Sequence, residues 1–364
     1  MKPIVLVVGA RPNFMKIAPL LREFGRRGNV IPWKLVHTGQ HNGEMMSQVF
    51  FDQLAIPNPD VLLDCRSTAE SSQLPTIMRR FGETCDLLAP RMVVVVGDVD
   101  STLACALVAS RMNITLAHVE AGLRSGDRTM PEETNRIVTD ALSDLLFATE
   151  QSAVDNLICE GQPEERIHLV GHVMIDNLFF ELSRLPHRNV DAGVVALKER
   201  LGRYGILTLH RPSNVDSPEA LRRIAAILNQ VAEQIPLVFP VHPRTRGKLL
   251  SERILLAPAV HMSQPLPYAE FLFLMKDAQV VLTDSGGIQE ETTALGIPCL
   301  TLRENTERPI TVDEGSNEVV GLCAERITQN VARALGPNSK RGRCPALWDG
   351  KAAERIADVL YSVA

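Results

Sequence analysis

Residues 97–136 read GDVDSTLACALVASRMNITLAHVEAGLRSGDRTMPEETNR, and this stretch decides the fold. The run just before it, Met92 to Val96 (MVVVV), and the run inside it, Thr115 to Val119 (TLAHV), are apolar without alternation, the pattern of strands covered on both faces. Between them, Ser101 to Arg111 has helical length and an alanine-rich composition. Strand, helix, strand is a βαβ unit of a parallel sheet. Ligands of such sheets sit beyond the carboxyl ends of the strands. Both strands here end in an acid beside glycine or alanine, Gly97-Asp98 and Glu120-Ala121-Gly122, so Asp98 and Glu120 are expected at a ligand-facing edge, with Glu132 in the same stretch.

Towards the N-terminus the alternation continues. Ile4 to Val8 is an apolar first strand, residues 9–13 (GARPN) a turn, and Met15 to Arg26 an amphipathic helix, the opening of a doubly wound sheet. The turn lacks G-x-G-x-x-G, so a dinucleotide pyrophosphate has no close approach and no nicotinamide cofactor is expected. It offers Arg11 and Lys16 instead, two cations near a helix start that suit an anion, although a solvated basic turn would read the same way. Trp33 to His37 is a second strand, and Gln40 and His41 in the loop after it are ligand groups or structural ones. Glu44 to Leu54 is amphipathic, Pro57 to Asp60 a turn, Asp64 to Ser72 a polar loop and Pro75 to Leu88 a helix. Beyond the central stretch, the helix carrying Arg136 runs to about Asp144, Leu145 to Ala148 is a strand, Ser152 to Gly161 a helix, and Ile167 to Gly171 closes the domain.

From Asn177 the composition shifts, residues 185–189 (LPHRN) read as a connection, and a second series begins. Its strands are Gly205 to Leu209, ending in His210-Arg211-Pro212; Leu237 to Val241, ending in His242-Pro243-Arg244; Gln279 to Thr283, ending in Asp284-Ser285-Gly286-Gly287; and Pro298 to Leu302, with Leu221 to Gln234 a helix between the first two. The expected fold is therefore α/β, two Rossmann-like domains with parallel sheets facing across a cleft. At residues 284–291 (DSGGIQEE) two glycines and a capping serine, Ser285, Gly286 and Gly287, would let a phosphate reach the open N–H groups of a helix start. Glu290 and Glu291 point about 100° apart on that helix, so only one faces a ligand, where it would suit ribose hydroxyls. An ordinary strand–helix turn with surface acids is the alternative. Arg308 in TERP (306–309) puts a guanidinium near the same edge.

Composition narrows the class. A chain of 364 residues with 45% hydrophobic content can bury two cores. A formal net charge of -5 provides no broad basic field, so a nucleic-acid partner is not expected, while a local anion site is. Seven cysteines without a Cys-x-x-Cys pair suit reduced thiols in a cytoplasm. Ile4 to Val8 is too short for a signal sequence, and no stretch approaches the roughly 20 apolar residues of a membrane helix, so no membrane partner is expected. Nine histidines occur without H-x-x-x-H or a cysteine pair, so no metal site is expected, and His210 and His242, ending adjacent strands, are better read as ligand-binding or proton-carrying groups. No G-x-S-x-G elbow supports a serine hydrolase.

Ten segments carry a family resemblance: GARPNFMK (9–16), TGQH (38–41), GDVDST (97–102), HVEAGLRSGD (118–127), PEETNR (131–136), GH (171–172), LHRPSN (209–214), PVHPRT (240–245), DSGGIQEE (284–291) and TERP (306–309). In this order, over nearly the whole chain, they resemble the non-hydrolysing UDP-N-acetylglucosamine 2-epimerases. The resemblance implies a glycosyltransferase-B-like fold, with residues 1–175 and the C-terminal helix 350–364 forming the domain of the acids and residues 176–349 the UDP-binding domain. It implies a cytoplasmic homodimer acting on a UDP-sugar with neither metal nor nicotinamide, in the making of envelope or capsule polysaccharide. The C2 proton is not beside a carbonyl, so the family eliminates UDP to 2-acetamidoglucal and adds it back with the opposite C2 configuration. By resemblance Asp98, Glu120 and Glu132 are the catalytic acids, with base and acid unassigned, and His210 assists the departing UDP. Arg11, Lys16, Ser285, Gly286, Gly287 and Arg308 are implied at the phosphates, Glu291 at the ribose, Phe271 at a uracil-pocket position and His242 in substrate binding, while Glu133 is expected to turn away.

Departures are Asn13, where several members have glutamate; Leu266, where some have glutamine; and Asn-Gly-Glu after His41, which argues against the allosteric second substrate site of some members. The first turn also differs from that of hydrolysing relatives. An epimerase of a modified UDP-N-acetylhexosamine and a glycosyltransferase of the same fold are the competing readings. Three acids beside a dianionic ligand argue against a mere binder.

Overall fold

The computed structural model describes residues 2–28, 30–40, 51, 54–65, 70–340 and 342–363. His41 and most of the amphipathic segment 44–54 lie outside these residues, as does the side chain of Arg11. The chain divides into two compact units, Met1–Asn177 with Ala346–Ala364, and Leu178–Pro345.

In the first unit the elements are β1 (Ile4–Val8), α1 (Arg11–Arg26), β2 (Trp33–His37), β3 (Val61–Leu62), α2 (Glu70–Leu88), β4 (Met92–Val96), α3 (Asp100–Arg111), β5 (Thr115–Ala121), α4 (Pro131–Leu142), β6 (Leu145–Ala148), α5 (Gln151–Cys159) and β7 (Ile167–Leu169). α6 (Val173–Arg184) contains the boundary between the units. The strands form a parallel sheet in the order β3-β2-β1-β4-β5-β6-β7. Its central strands lack alternation because both faces are covered. Ile4, Leu6, Val8, Met92, Val94 and Val96 pack with Phe14 and Ile17 of α1, whereas Val5, Val7, Val93 and Val95 pack with Phe81 of α2 and Cys105 of α3. α2 starts before the expected Pro75 and takes that proline into its body.

The second unit contains α7 (Ala192–Leu201), β8 (Gly205–Thr208), α8 (Pro212–Val215), α9 (Pro218–Ala232), β9 (Leu237–Pro240), α10 (Pro243–Ser251), β10 (Val260–Ser263), α11 (Tyr268–Met275), β11 (Val280–Thr283), α12 (Gly286–Leu295), β12 (Cys299–Thr301), α13 (Pro309–Asp313), β13 (Asn317–Val319) and α14 (Ala324–Leu335). Its parallel sheet runs β10-β9-β8-β11-β12-β13. The chain then returns to the first unit as α15 (Ala352–Ser362), whose Ile356 and Leu360 are wholly buried in the cluster that holds α1. Three edge strands, β3, β10 and β13, have no counterpart in the sequence reading. They are short and only part-buried, so no apolar run marks them.

In each sheet the chain winds outward in one direction, then crosses back to wind in the other, between β1 and β4 and between β8 and β11. Such switch points open a crevice beyond the strand ends. Gly9 and Gly97 follow the first pair, and Leu209-His210 and Asp284 the second.

Candidate active site

In the first unit the acids gather around Gly97. Glu120 sits where the β5–β6 register shifts between Val119 and Ala121, and its φ is 72°, a left-handed conformation costly for a side chain with a Cβ. The bulge turns this residue out of the strand alternation and re-aims its side chain. Glu120 is nonetheless only 3% exposed. Its Oε2 forms an ion pair with Lys16 Nζ from α1, and its Oε1 lies 3.8 Å from His172 Nε2. Lys16, expected at a phosphate, pairs with this carboxylate. Gly97, with φ 69°, makes room for the pair: a Cβ there would stand 2.9 Å from Lys16 Nζ and 3.5 Å from Glu120 Oε2.

Asn13 ties the two strands of the switch point together. Its Oδ1 accepts from the N–H groups of Gly9 and Ala10 at 3.2 and 2.9 Å, while Nδ2 donates to Val96 O at 2.9 Å. A glutamate could not make that donation, so the departure at Asn13 has a structural use.

Asp98 is held by the Arg136 guanidinium, whose Nε and Nη2 donate to Oδ2 at 3.0 and 2.7 Å. Asn135 Nδ2 donates to the Asp98 carbonyl at 2.9 Å and to Asp100 Oδ1 at 3.1 Å. Glu133, expected to turn away, is buried, accepts from Arg136 Nη1 at 2.6 Å, and receives Ser125 N, Ser125 Oγ and Gly126 N at 2.9 Å. Burial alone would raise its carboxyl, but those donors and the Arg136 charge hold it below the usual carboxylate range. The spacing of Glu133 and Arg136, one helical turn apart, was the available signal. Glu132 is half-buried at the start of α4 and, among the described residues, forms no ion pair. Gln40 Oε1 accepts from Ser101 N and Oγ at 3.1 and 2.6 Å, so it serves the start of α3.

Behind Gly97 lies a buried chain of polar groups. His118 Nε2 meets Gly97 O at 2.9 Å, and its Nδ1 meets Asp140 Oδ1 at 2.6 Å. Asp140 Oδ2 accepts from Gly122 N at 3.0 Å and pairs with Arg124 Nη2 at 2.7 Å. Burial pushes the Asp140 carboxyl up, but His118 and Arg124 outweigh it and keep it low.

In the second unit Asp284, wholly buried, shapes the loop after β8. It accepts from the N–H groups of His210 and Arg211 and from Asn214 Nδ2, and its Oδ1 lies 2.9 Å from His210 Nδ1. That contact leaves the His210 Nε2 edge outward on a side chain 56% exposed. Burial opposes ionisation of Asp284, but His210 and these donors hold its carboxyl below the ordinary range. Ser285 stands at the N-cap of α12, but its hydroxyl makes no capping bond; its own N–H donates to Thr283 Oγ1 at 3.0 Å. A Cβ on Gly287 would meet nothing within 4 Å, which keeps the helix start open to a ligand. Arg308 Nε pairs with Glu290 Oε1. Glu291 accepts from Tyr268 OH at 2.7 Å, and its Oε2 is buried without a hydrogen-bond partner among the described residues. Phe271 is buried on α11, the helix that begins with Tyr268. His242 stands apart as the exposed N-cap of α10, where its Nδ1 accepts from Arg244 N at 3.3 Å.

His118, Arg136, Asp140, His172 and Tyr268 are site-shaping residues that the sequence reading did not single out, whereas it named Asn13, Glu133 and Asp284 but not the partners they meet. Among the described residues no group of three or more His, Cys, Asp or Glu is arranged to hold a metal ion, and no helix is long and apolar enough to cross a membrane.

Residues 25–361 match the family described as UDP-N-acetylglucosamine 2-epimerase. The UDP-N-acetylglucosamine 2-epimerase of Methanocaldococcus jannaschii is 38% identical over 365 residues, 98% of each chain. The UDP-2,3-diacetamido-2,3-dideoxy-D-glucuronate 2-epimerase of Pseudomonas aeruginosa is 37% identical over 360 residues, 98% of this chain and 99% of that one. Among solved structures, the Methanocaldococcus jannaschii enzyme in complex with UDP-GlcNAc and UDP superposes with a TM-score of 0.85 at 38% identity, covering 99% of both chains. The Neisseria meningitidis UDP-GlcNAc 2-epimerase bound to UDP-GlcNAc gives 0.84 at 28% identity, covering 99% of this chain and 100% of that one.

Proposed function

The chain belongs to the UDP-N-acetylglucosamine 2-epimerase family, isomerases of the glycosyltransferase-B-like fold, and from that premise we propose that it interconverts UDP-N-acetylglucosamine and UDP-N-acetylmannosamine. The observation that carries this reading is Glu120, buried at a left-handed bulge and paired with Lys16, its Oε2 3.5 Å from where a Cβ on Gly97 would stand. Strained, buried carboxylates with paid-for cations belong to reaction sites rather than to surfaces.

In this reading one carboxylate removes the C2 proton as the C1–O bond to UDP breaks, giving 2-acetamidoglucal and UDP. A second acid then protonates C2 from the opposite face while a UDP phosphate oxygen re-forms the bond to C1. Asp98 and Glu120, each beside a cation, and Glu132 would share the roles of base and acid. The α12 start at Gly286 and Gly287, with Ser285 and Arg308, would hold the diphosphate, joined by Arg11; Glu291 would take the ribose, Phe271 would lie by the uracil, and His210, oriented by Asp284, would assist the leaving oxygen. His242 would join these groups in binding the substrate. A homodimer belongs to the reading and would sediment at twice the chain mass.

Proton NMR of UDP-N-acetylglucosamine with the purified protein in deuterium oxide tests it. Deuterium at C2 together with UDP-N-acetylmannosamine is the expected result. The diacetamido-glucuronate relative favours one second reading, a UDP-sugar modified on the ring. An unchanged spectrum with UDP-N-acetylglucosamine but C2 exchange in the 2,3-diacetamido uronate would select it.

A further inference from the structure

Glu120 has one oxygen on Lys16, while Oε1 is buried and accepts no hydrogen bond among the described residues. An unmet carboxylate oxygen in the interior is costly, so the group 3.8 Å from it matters. That group is His172 Nε2, and three constraints aim it. His172 Nδ1 accepts from Met174 N at 3.2 Å at the start of α6, which puts the ring proton on Nε2. The ring stands edge-on to Trp348, with centroids 5.2 Å apart and planes at 89°, and Trp348 is itself anchored by Nε1–H donation to Thr149 O at 3.1 Å. Gly171 before it has φ 87°, and a Cβ there would fall 2.0 Å from Leu347 O, so the backbone is clamped against the returning C-terminal segment.

We propose that His172 is a positioning residue for Glu120: its Nε2–H donates to Oε1 once substrate closes the remaining gap, so that Glu120 works with both oxygens fixed. The inference rests on the reading of Glu120 as a catalytic carboxylate. Catalytic hydrogen bonds are commonly long in the free enzyme and tighten in the complex. The charged groups that face this pair are Lys16 of α1, on Oε2, and Asp176 of α6, whose charge acts on His172. A purely structural histidine, packed on Trp348, is the alternative, and it makes different predictions.

The test compares the wild type with His172→Phe, which keeps a ring against Trp348 but no donor, and His172→Asn, which keeps an amide donor. Carbon-13 NMR of the Glu120 carboxyl follows its response to added UDP-N-acetylglucosamine. With His172→Phe that response should be lost, and His172→Asn should restore most of it. With substrate, kcat for His172→Phe should fall about tenfold with KM within about twofold, and the acid limb of the kcat profile, which reports the substrate complex, should move to higher pH. A Glu120 carboxyl response to substrate that is unchanged by His172→Phe overturns the proposal. If His172→Phe does not fold, nitrogen-15 NMR of wild-type His172 decides: an Nε2–H tautomer whose proton moves downfield on adding UDP-N-acetylglucosamine supports it, and an Nδ1–H tautomer overturns it. Failure of the wild type to exchange C2 hydrogen, with the Glu120 carboxyl resonance still sensitive to residue 172, would refute the assigned reaction and leave the positioning intact.

Discussion

At the residue scale, two buried carboxylates have opposite pH signatures. Burial pushes the Glu291 carboxyl up to about 7, against the Tyr268 donation and with help from the neighbouring Glu290 charge. Between the unfolded value, about 4.3, and that raised value the folded chain holds a proton the unfolded chain has released, so stability falls as pH rises through this window, by about 4 kcal/mol at most. Glu291→Gln should therefore be more stable than wild type at pH 8 by about 1–3 kcal/mol and equal to it near pH 5, while UDP affinity drops at least tenfold. Urea melts at the two pH values with UDP titration calorimetry check this; an equal stability gain at both would refute it. Asp284 is the reverse case. Its folded value is depressed, so its contribution is complete above the unfolded value near 3.9 and is lost as pH falls through the folded one. Asp284→Asn turns an acceptor of several N–H groups into a group with its own donors, and should cost about 3 kcal/mol at pH 7 in urea unfolding and blur the His210 orientation.

At the element scale, the ends of β4 and β7 contrast two glycines. Gly97 and Gly171 both have left-handed φ, but a methyl at Gly97 meets the far end of the Lys16 side chain, whereas one at Gly171 meets the Leu347 backbone carbonyl at 2.0 Å. A lysine tip can move and a packed backbone cannot. Gly97→Ala should cost about 1–2 kcal/mol and yet lower kcat more than tenfold, because Lys16 is pushed off Glu120. Gly171→Ala should cost about 3 kcal/mol or more. Thermal melts beside initial rates would show this inversion, or its absence. The β5 bulge belongs to this scale too: the sequence VEAG reads as an ordinary strand end, and only the pairing of β5 with β6 reveals that Glu120 is the shifted residue.

At the scale of the whole molecule, the first unit is completed by the last stretch of the chain. Ile356 of α15 is wholly buried against the α1 side of the sheet. Both tryptophans, Trp33 and Trp348, also belong to this unit, so selectively excited tryptophan fluorescence follows its unfolding, while far-ultraviolet circular dichroism follows both units. Ile356→Ala should shift the fluorescence transition by about 2–4 kcal/mol. Coincident shifts of the same size in a probe of the second unit would show that the units unfold as one.

The sequence by itself determined the two parallel sheets, their central strands and the glycine-acid ends that carry Asp98, Glu120 and Asp284, because a strand buried on both faces must be apolar throughout and a ligand edge must be polar. It also carried, through its ordered motifs, the family. What only the tertiary structure decided are the partners of those ends. Asn13 joins Val96 across 83 positions, Arg136 reaches Asp98 across 38, and His172 comes to Glu120 through a ring set against Trp348 of the returning chain. Periodicity reports which face of an element is buried; it does not report which distant side chain meets it there, since that is settled by strand order and by the crossing of the chain at each switch point.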